Sequence, residues 1–210
     1  MKTAIHTVYK LKSGDRVPSV TTVLGILNKP NLLDWAWRCG CEGKDYKAIR
    51  DQAADIGTLA HALVVGALTG EKVDLTEYSQ EQIDKAETCL IKYYDWLKEH
   101  PIEPILLETQ FVSEIHRFGG TIDCLAKLNG SLVLIDHKTS KAVWPEMFYQ
   151  LAAYRQLLRE AGHQVDDCRI VRIGRDPEEG FEERQSGNLD KAWELFTHCL
   201  AVYQLQKEVK

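Results

Sequence analysis

The chain has no apolar run approaching the ~18 residues that a membrane-spanning helix needs, so no transmembrane segment is expected. Its first residues, Met1-Lys2-Thr3-Ala4-Ile5-His6, lack the apolar centre of a secretory signal, and a cytoplasmic protein is expected. There is no CxxC pair. The six cysteines (Cys39, Cys41, Cys89, Cys124, Cys168 and Cys199) are scattered, and the one close pair is C-x-C. That spacing argues against a structural zinc site or an iron–sulfur run. In a cytosolic chain the thiols stay reduced. No G-x-x-x-x-G-K-[ST] loop is present, so any ATP-driven unwinding must come from another protein. Basic residues are not in excess: 26 Lys and Arg against 31 Asp and Glu leave a net charge of −5. Nucleic-acid binders usually carry a basic footprint, so this balance argues mildly against one, though a local basic groove can sit in an acidic remainder. Internal repeats and low-complexity segments are also missing.

What remains is the composition of an ordinary soluble protein, 44% hydrophobic and 27% charged. At 210 residues it is most simply one domain, 1–210, with a helical N-terminal part over about 18–100 and a sheet-and-helix core over about 105–210. Residues 18–27 read as a short helix capped by Ser19 or Thr21, broken at Lys29-Pro30. A second helix begins at Leu32 and runs through Trp35 and Arg38. A third spans about 46–68 on the apolar spacing of Ala53, Ile56, Ala60, Leu63, Val64 and Ala67, closed by Gly70. Ser79 caps a long helix to about His100, which Pro101 and Pro104 end. A strand over 105–113 carries Glu108 inside it. Pro145 starts a helix over about 144–161, followed by strands over 168–174 and 181–185. Asn188 caps a last helix to about Lys207. Helices, three strands, a helix, one or two strands and a helix make an α/β fold on a mixed central β-sheet flanked by helices.

The most informative segment is Phe118 to Ser140. Asn129-Gly130 is the strongest short hairpin signal, because a two-residue type I′ turn needs φ > 0 at both centres. If Leu128 pairs with Ser131, counting back brings Asp123 opposite Asp136. Side chains alternate, so Lys138 emerges on the face of Asp136. Two carboxylates opposite one another in a sheet repel, by roughly 4 kcal/mol at 4 Å with an effective dielectric near 20. Val133-Leu134-Ile135 predicts a strand buried on both faces, where an unpaired carboxylate is expensive. Such a hairpin can be a solvated face, and Lys138 can be a purely structural ion-pair partner. Two acids and a lysine in a buried place suit a hard cation better. Gln150 and Tyr154, four apart, share one helix face and, taken alone, read first as a boundary pair at the rim of the core. His61, on a mostly apolar helix, reads alone as a satisfied core histidine.

Together these residues resemble the PD-(D/E)XK nuclease superfamily, in its RecB-like branch that includes phage exonucleases. The resemblance rests on Gly57 and His61 (GxxxH), Gly120 to Asp123 (G-x-I-D), Asp136 to Thr139 (D-x-K-T), and Gln150 with Tyr154 (QxxxY), in the family's order. Ser19 to Leu24 with Trp35-Ala36 is similar to phage and bacterial members. The resemblance implies a restriction-endonuclease-like core and hydrolysis of DNA phosphodiesters with Mg²⁺ or Mn²⁺. Asp123 and Asp136 would bind the metal, with the backbone carbonyl of His137 and, for Mn²⁺, His61. Glu108 would add a ligand if its strand neighbours Asp123; otherwise it is an edge carboxylate. Lys138 would orient the attacking water or neutralise developing charge. Gln150 and Tyr154 would position the site or the strand, with Tyr154 also available to stack on a base. Lys141, Arg155 and Arg159 would meet backbone phosphates or form a solvated face. Some relatives hold an iron–sulfur cluster through a C-terminal cysteine trio; this chain lacks the trio, so no cluster is expected.

Exonuclease action in recombination, repair or phage DNA metabolism is the leading expectation. The alternatives are an endonuclease or RNA-cleaving enzyme of the same fold, a catalytically silent nucleic-acid-binding module, and an unrelated metal-dependent phosphohydrolase acting on nucleotides. DNA is the expected partner. Family roles add a single-strand annealing or binding protein, and a ring-forming homo-oligomer as one form of assembly.

Overall fold

A computed structural model describes residues 7–186 and 189–209. Two short strands, β1 (Tyr9–Lys10) and β2 (Arg16–Val17), form a hairpin that the sequence did not signal. Four helices follow: α1 (Val20–Leu24), α2 (Pro30–Cys41), α3 (Tyr46–Thr69) and α4 (Gln80–Glu99). Then come β3 (Ile102–Ser113), β4 (Phe118–Leu128), β5 (Ser131–Lys138), α5 (Pro145–Glu160), β6 (Asp167–Ile173), β7 (Phe181–Gln185) and α6 (Asp190–Glu208). Among the described residues, no helix is long and apolar enough to cross a membrane.

Local chemistry accounts for most boundaries. Ser19 accepts the Thr22 N–H at the start of α1. Ser79 and Gln82 form a reciprocal capping box on α4. Gly70 ends α3 in the left-handed conformation. Two prolines act differently from expectation. Pro30 does not merely break a helix; it opens α2 at the first turn, where a missing N–H costs nothing. Pro104 lies inside β3 and not before it. It is tolerated because β3 is an edge strand and its register shifts between Pro104 and Leu106. The expected Asn188 cap lies outside the described residues.

The five main strands are ordered β3-β4-β5-β6-β7. β5 and β6 run parallel and the other neighbours antiparallel, so the sheet is mixed. On one face α1, α5 and α6 pack on Ile122, Leu125, Leu134 and Ile170. On the other, α3 and α4 cover Cys124, Ala126, Ile135 and Val171. Val133, Leu134 and Ile135 are buried, as a strand covered on both faces requires. The Asn129-Gly130 turn has φ of 52° and 84° and sets Leu128 against Ser131. Five of the six cysteines are buried and all are free.

Gly120 is where β4 meets α5. A Cβ there would come within 2.6 Å of Tyr154 Cε1 and 3.1 Å of Cδ1. Gly120→Ala therefore forces Tyr154 off the strand. We expect it to destabilise the protein by about 1–3 kcal/mol, read as a lower urea midpoint with an unchanged m-value.

Candidate active site

The hairpin register holds through Cys124–Ile135 and stops there. Asp123 and Asp136 would be the next pair, but they are not a ladder pair. β5 keeps its hydrogen bonds to β6 as far as Lys138–Arg172. Instead of pairing through its backbone, Asp123 turns its carboxylate to accept the His137 N–H at 2.8 Å. The strands part where two facing carboxylates would repel most.

The same place shows a slip in side-chain alternation. On β4, Ile122 and Leu125 both face the α5 side, three residues apart, while Cys124 and Ala126 face α3 and α4. On β3, Leu106 and Phe111 face the α5 side and Leu107 the other. The slips fall at Asp123 and at Glu108. Both lie between the pairs Leu107–Cys124 and Thr109–Ile122 without pairing themselves. Glu108 has φ 43°, a left-handed backbone that costs a non-glycine residue about 1–2 kcal/mol. Strain at such a place is a pointer to function.

α3 brings His61 to these acids. A Cβ on Gly57 would lie 2.9 Å from Thr139 Oγ1, so the glycine lets α3 close on the segment after β5. One turn later, His61 Nδ1 stands 3.8 Å from Glu108 Oε1 and 3.9 Å from Asp123 Oδ2. The ligand atoms of His61, Glu108 and Asp123 all lie within 4.8 Å of one another. Glu108 thus neighbours Asp123 and is not an isolated edge carboxylate. Among the described residues Asp136 is not part of that close trio.

Asp136 is completely buried. Lys138 Nζ sits 2.5 Å from its Oδ2, yet neither carboxylate oxygen has a properly directed hydrogen bond. The contact is an ion pair without hydrogen-bond geometry. Burial pushes the Asp136 pKa up, the Lys138 charge opposes, and Asp123 adds to the rise, leaving it at about 6. Burial alone would lower Lys138, but Asp136 and Asp123 outweigh it, so the ammonium is held above its ordinary value. Burial likewise works against the His61 proton, and Asp123 and Glu108 overcome it.

The His137 side chain points to the opposite face, buried edge-on to His61 and to Tyr93. Burial, with the neighbouring charges of His61 and Lys138, drives its pKa well down, so it is a neutral ring. Its backbone carbonyl faces Lys138 Nζ at 3.4 Å. Gln150 donates to the Tyr154 hydroxyl at 2.7 Å. Burial and the charges of Asp136 and Asp123 hold that phenol well above its ordinary pKa, so it stays neutral. The Tyr154 ring is 6% exposed and lies on Gly120, so it offers no face to a nucleic-acid base, contrary to the stacking role expected of it. Arg155 pairs with Asp190 of α6 at 2.7 Å and helps to join two helices. Sequence reading missed Tyr9. Its ring lies on Gly119, and its hydroxyl meets Thr121 Oγ1 at 2.8 Å, two residues from Asp123. Nothing in the sequence near Tyr9 marks it.

A divalent cation fits this donor set. Three converging N and O ligands beside the buried Asp136 carboxylate carry more negative charge than Lys138 neutralises.

No curated protein matches the chain. Among solved structures, a "putative exonuclease" from Eubacterium rectale superposes with a TM-score of 0.51 at 13% identity, over 72% of this chain and 65% of that one. The chain thus spans just under two thirds of that protein, and the likeness is one of fold. The structure of SSO0001 gives a TM-score of 0.38 at 17% identity, over 71% of this chain and 84% of that one, a looser superposition. The family model of the PD-(D/E)XK nuclease superfamily matches residues 32–206. With a mixed five-stranded sheet that carries the acids and the lysine at one strand end, the chain belongs to the PD-(D/E)XK nuclease superfamily, whose nucleases use divalent metal ions.

Proposed function

We propose that this protein is a metal-dependent deoxyribonuclease, an exonuclease using Mg²⁺ or Mn²⁺, that serves recombination, repair or phage DNA metabolism in the cytoplasm. The observation that carries the reading is the convergence of His61, Glu108 and Asp123 beside the buried Asp136–Lys138 pair. The name of the Eubacterium rectale protein agrees with the choice of exonuclease.

In this reading Asp123, Asp136, Glu108 and the His137 carbonyl would hold the ion, and His61 would add a nitrogen that favours Mn²⁺. The ion supplies Lewis-acid charge that polarises a phosphodiester and makes a nearby water more acidic. The protein's own groups do the rest. Lys138 remains charged and partly accessible, with its side chain 19% exposed. It can orient an attacking water or stabilise charge that develops on the phosphate oxygens. Asp136 orients that ammonium. Tyr154 stays neutral beside the two acids, and Gln150 fixes its hydroxyl, so the pair positions the acidic pocket without adding charge. Asp123 holds the His137 N–H and thereby aims the His137 carbonyl.

Degradation of end-labelled linear DNA beside a closed circle, with Mg²⁺, Mn²⁺ or EDTA, tests the activity. We expect metal-dependent loss of the linear DNA alone and at least a 100-fold lower rate for Lys138→Ala, of the order seen when one charge-stabilising donor is removed. Cutting of the circle makes the protein an endonuclease. Intact DNA under both metals, with retained binding, makes it a binding module.

A second test reads stability. Asp136 is raised from 3.8 to about 6 on folding, so it takes up a proton. The stabilising effect of that proton is present below about pH 4 and is lost as pH rises through about 6. Asp136→Asn removes the buried charge. Without metal at neutral pH we expect the variant to unfold at a higher temperature than wild type, with a gain of at most about 3 kcal/mol. Added Mn²⁺ should stabilise wild type and leave the variant unmoved. A variant less stable than wild type in EDTA would show that Asp136 is needed as the partner of Lys138.

A further inference from the structure

His137 enters the proposed site through its backbone, but its side chain has a place of its own. Val133, Ile135 and His137 alternate along β5 onto the face covered by α3 and α4. The imidazole is buried there, and its Nε2 meets no hydrogen-bond partner among the described residues. An apolar residue of similar shape would avoid that cost. Two rings hold it. Tyr93 of α4, fully buried, stands edge-on with centroids 5.2 Å apart and planes at 86°. His61 of α3 stands edge-on from the other helix, at 6.0 Å and 89°. Both separations suit edge-to-face packing of rings. Trp96 stacks on Tyr93 at 5.5 Å and donates its Nε1–H to Glu183 of β7 at 3.0 Å, which anchors the Tyr93 end of the row to the sheet.

His61 is the other end of the row, and its side chain is partly exposed. Among the described residues, His137 is the one ring beside it. The trio of ligand atoms made by His61, Glu108 and Asp123 does not include His137. His137 stands behind that trio, where it can fix which way the His61 ring turns. We infer that the His137 imidazole is a positioning residue: set between Tyr93 and His61, it holds the His61 ring at the angle that presents Nδ1 to Glu108 and Asp123. The inference rests on the nuclease reading above and adds to it the group that aims the nitrogen ligand. Its consequence is a metal preference. A fixed imidazole contributes more to a transition metal such as Mn²⁺ than to Mg²⁺, which favours oxygen. A His61 ring left free to rotate loses that contribution, and groups that orient a metal ligand are worth about 10- to 100-fold in affinity.

The test measures the Mn²⁺ dissociation constant without DNA, from the electron paramagnetic resonance signal of the free ion. Mg²⁺ is read by competition, and the unfolding temperature is taken in EDTA. The proteins are wild type, His137→Leu, His137→Phe, Tyr93→Leu, His61→Ala and the double variant of His61→Ala with His137→Leu. His137→Leu fills the space without a ring, and we expect it to weaken Mn²⁺ binding about tenfold and Mg²⁺ binding only about twofold. His137→Phe restores a ring and should stay within about twofold of wild type. Tyr93→Leu frees the far side of the imidazole and should weaken Mn²⁺ binding about threefold, so the result does not hang on one variant folding. On the His61→Ala background, His137→Leu should cost nothing further, because it acts through His61. Equal Mn²⁺ affinity of His137→Leu and wild type would overturn the inference, whatever happens to the unfolding temperature. So would a His137→Phe as weak as His137→Leu, or an undiminished loss in the double variant. Wild type that binds neither ion would overturn the metal-dependent reading and the inference with it. Mn²⁺ affinity lost as expected, with linear DNA left uncut by wild type, would overturn the nuclease reading and keep the inference.

Discussion

The arrangement depends on one expensive placement: a carboxylate, Asp136, wholly buried at the end of β5 with no directed hydrogen bond to either oxygen. A buried charge of this kind persists only with compensation nearby. Lys138, two residues on and on the same face, supplies a cation in contact. The β4–β5 ladder opens one pair short of the acids, so Asp123 and Asp136 are not forced into direct opposition. Asp123 is in turn satisfied by the His137 N–H, which the opened ladder leaves free. In the proposed reading, a divalent ion would complete the balance that one ammonium leaves unfinished.

The opening of the ladder is matched on its other side. Glu108 and Asp123 are the positions where β3 and β4 lose alternation together, and Glu108 takes a left-handed backbone to do so. The strain turns two acids toward α3 that regular pairing would send elsewhere. The helix must then come close, and Gly57 permits it by lying against Thr139. On the opposite face Gly120 does the equivalent for α5 and Tyr154. Two missing Cβ atoms, one on each side of the sheet, let a histidine and a tyrosine flank the acids. The two apolar clusters around Tyr93 and Phe118 supply the rigidity that keeps a strained strand and a buried charge in place.

Much of this was legible in the sequence because it rests on local signals. Asn129-Gly130 specified the hairpin register, and the Val133-Leu134-Ile135 run specified a strand covered on both faces. Ser79 and Gly70 marked helix ends. Non-local features were not legible. Strict alternation put Asp123 opposite Asp136, and no residue type announces that two strands will slip together. Glu108 read equally as an added ligand or an edge carboxylate, because only its left-handed φ turns it inward. Tyr154 read as a positioning residue also free to stack on a base, because its contact with Gly120 joins residues 34 positions apart. Tyr9 sits 112 residues before its partner Thr121, in a two-residue strand too short for any periodicity.

The charge balance connects the site to the whole chain. A protein of net charge −5 that acts on a polyanion gains no general attraction to it. The site itself sets Glu108, Asp123 and Asp136 against Lys138, and the acids beside His61 favour its protonated form. In that state its field repels phosphate. In the proposed reading, a divalent ion held by these acids would offset their charge, so the ion used for the chemistry would also help to admit the substrate. Substrate binding and catalysis would then be linked through one cation, and that cation would account for why the buried Asp136 is tolerated in the fold.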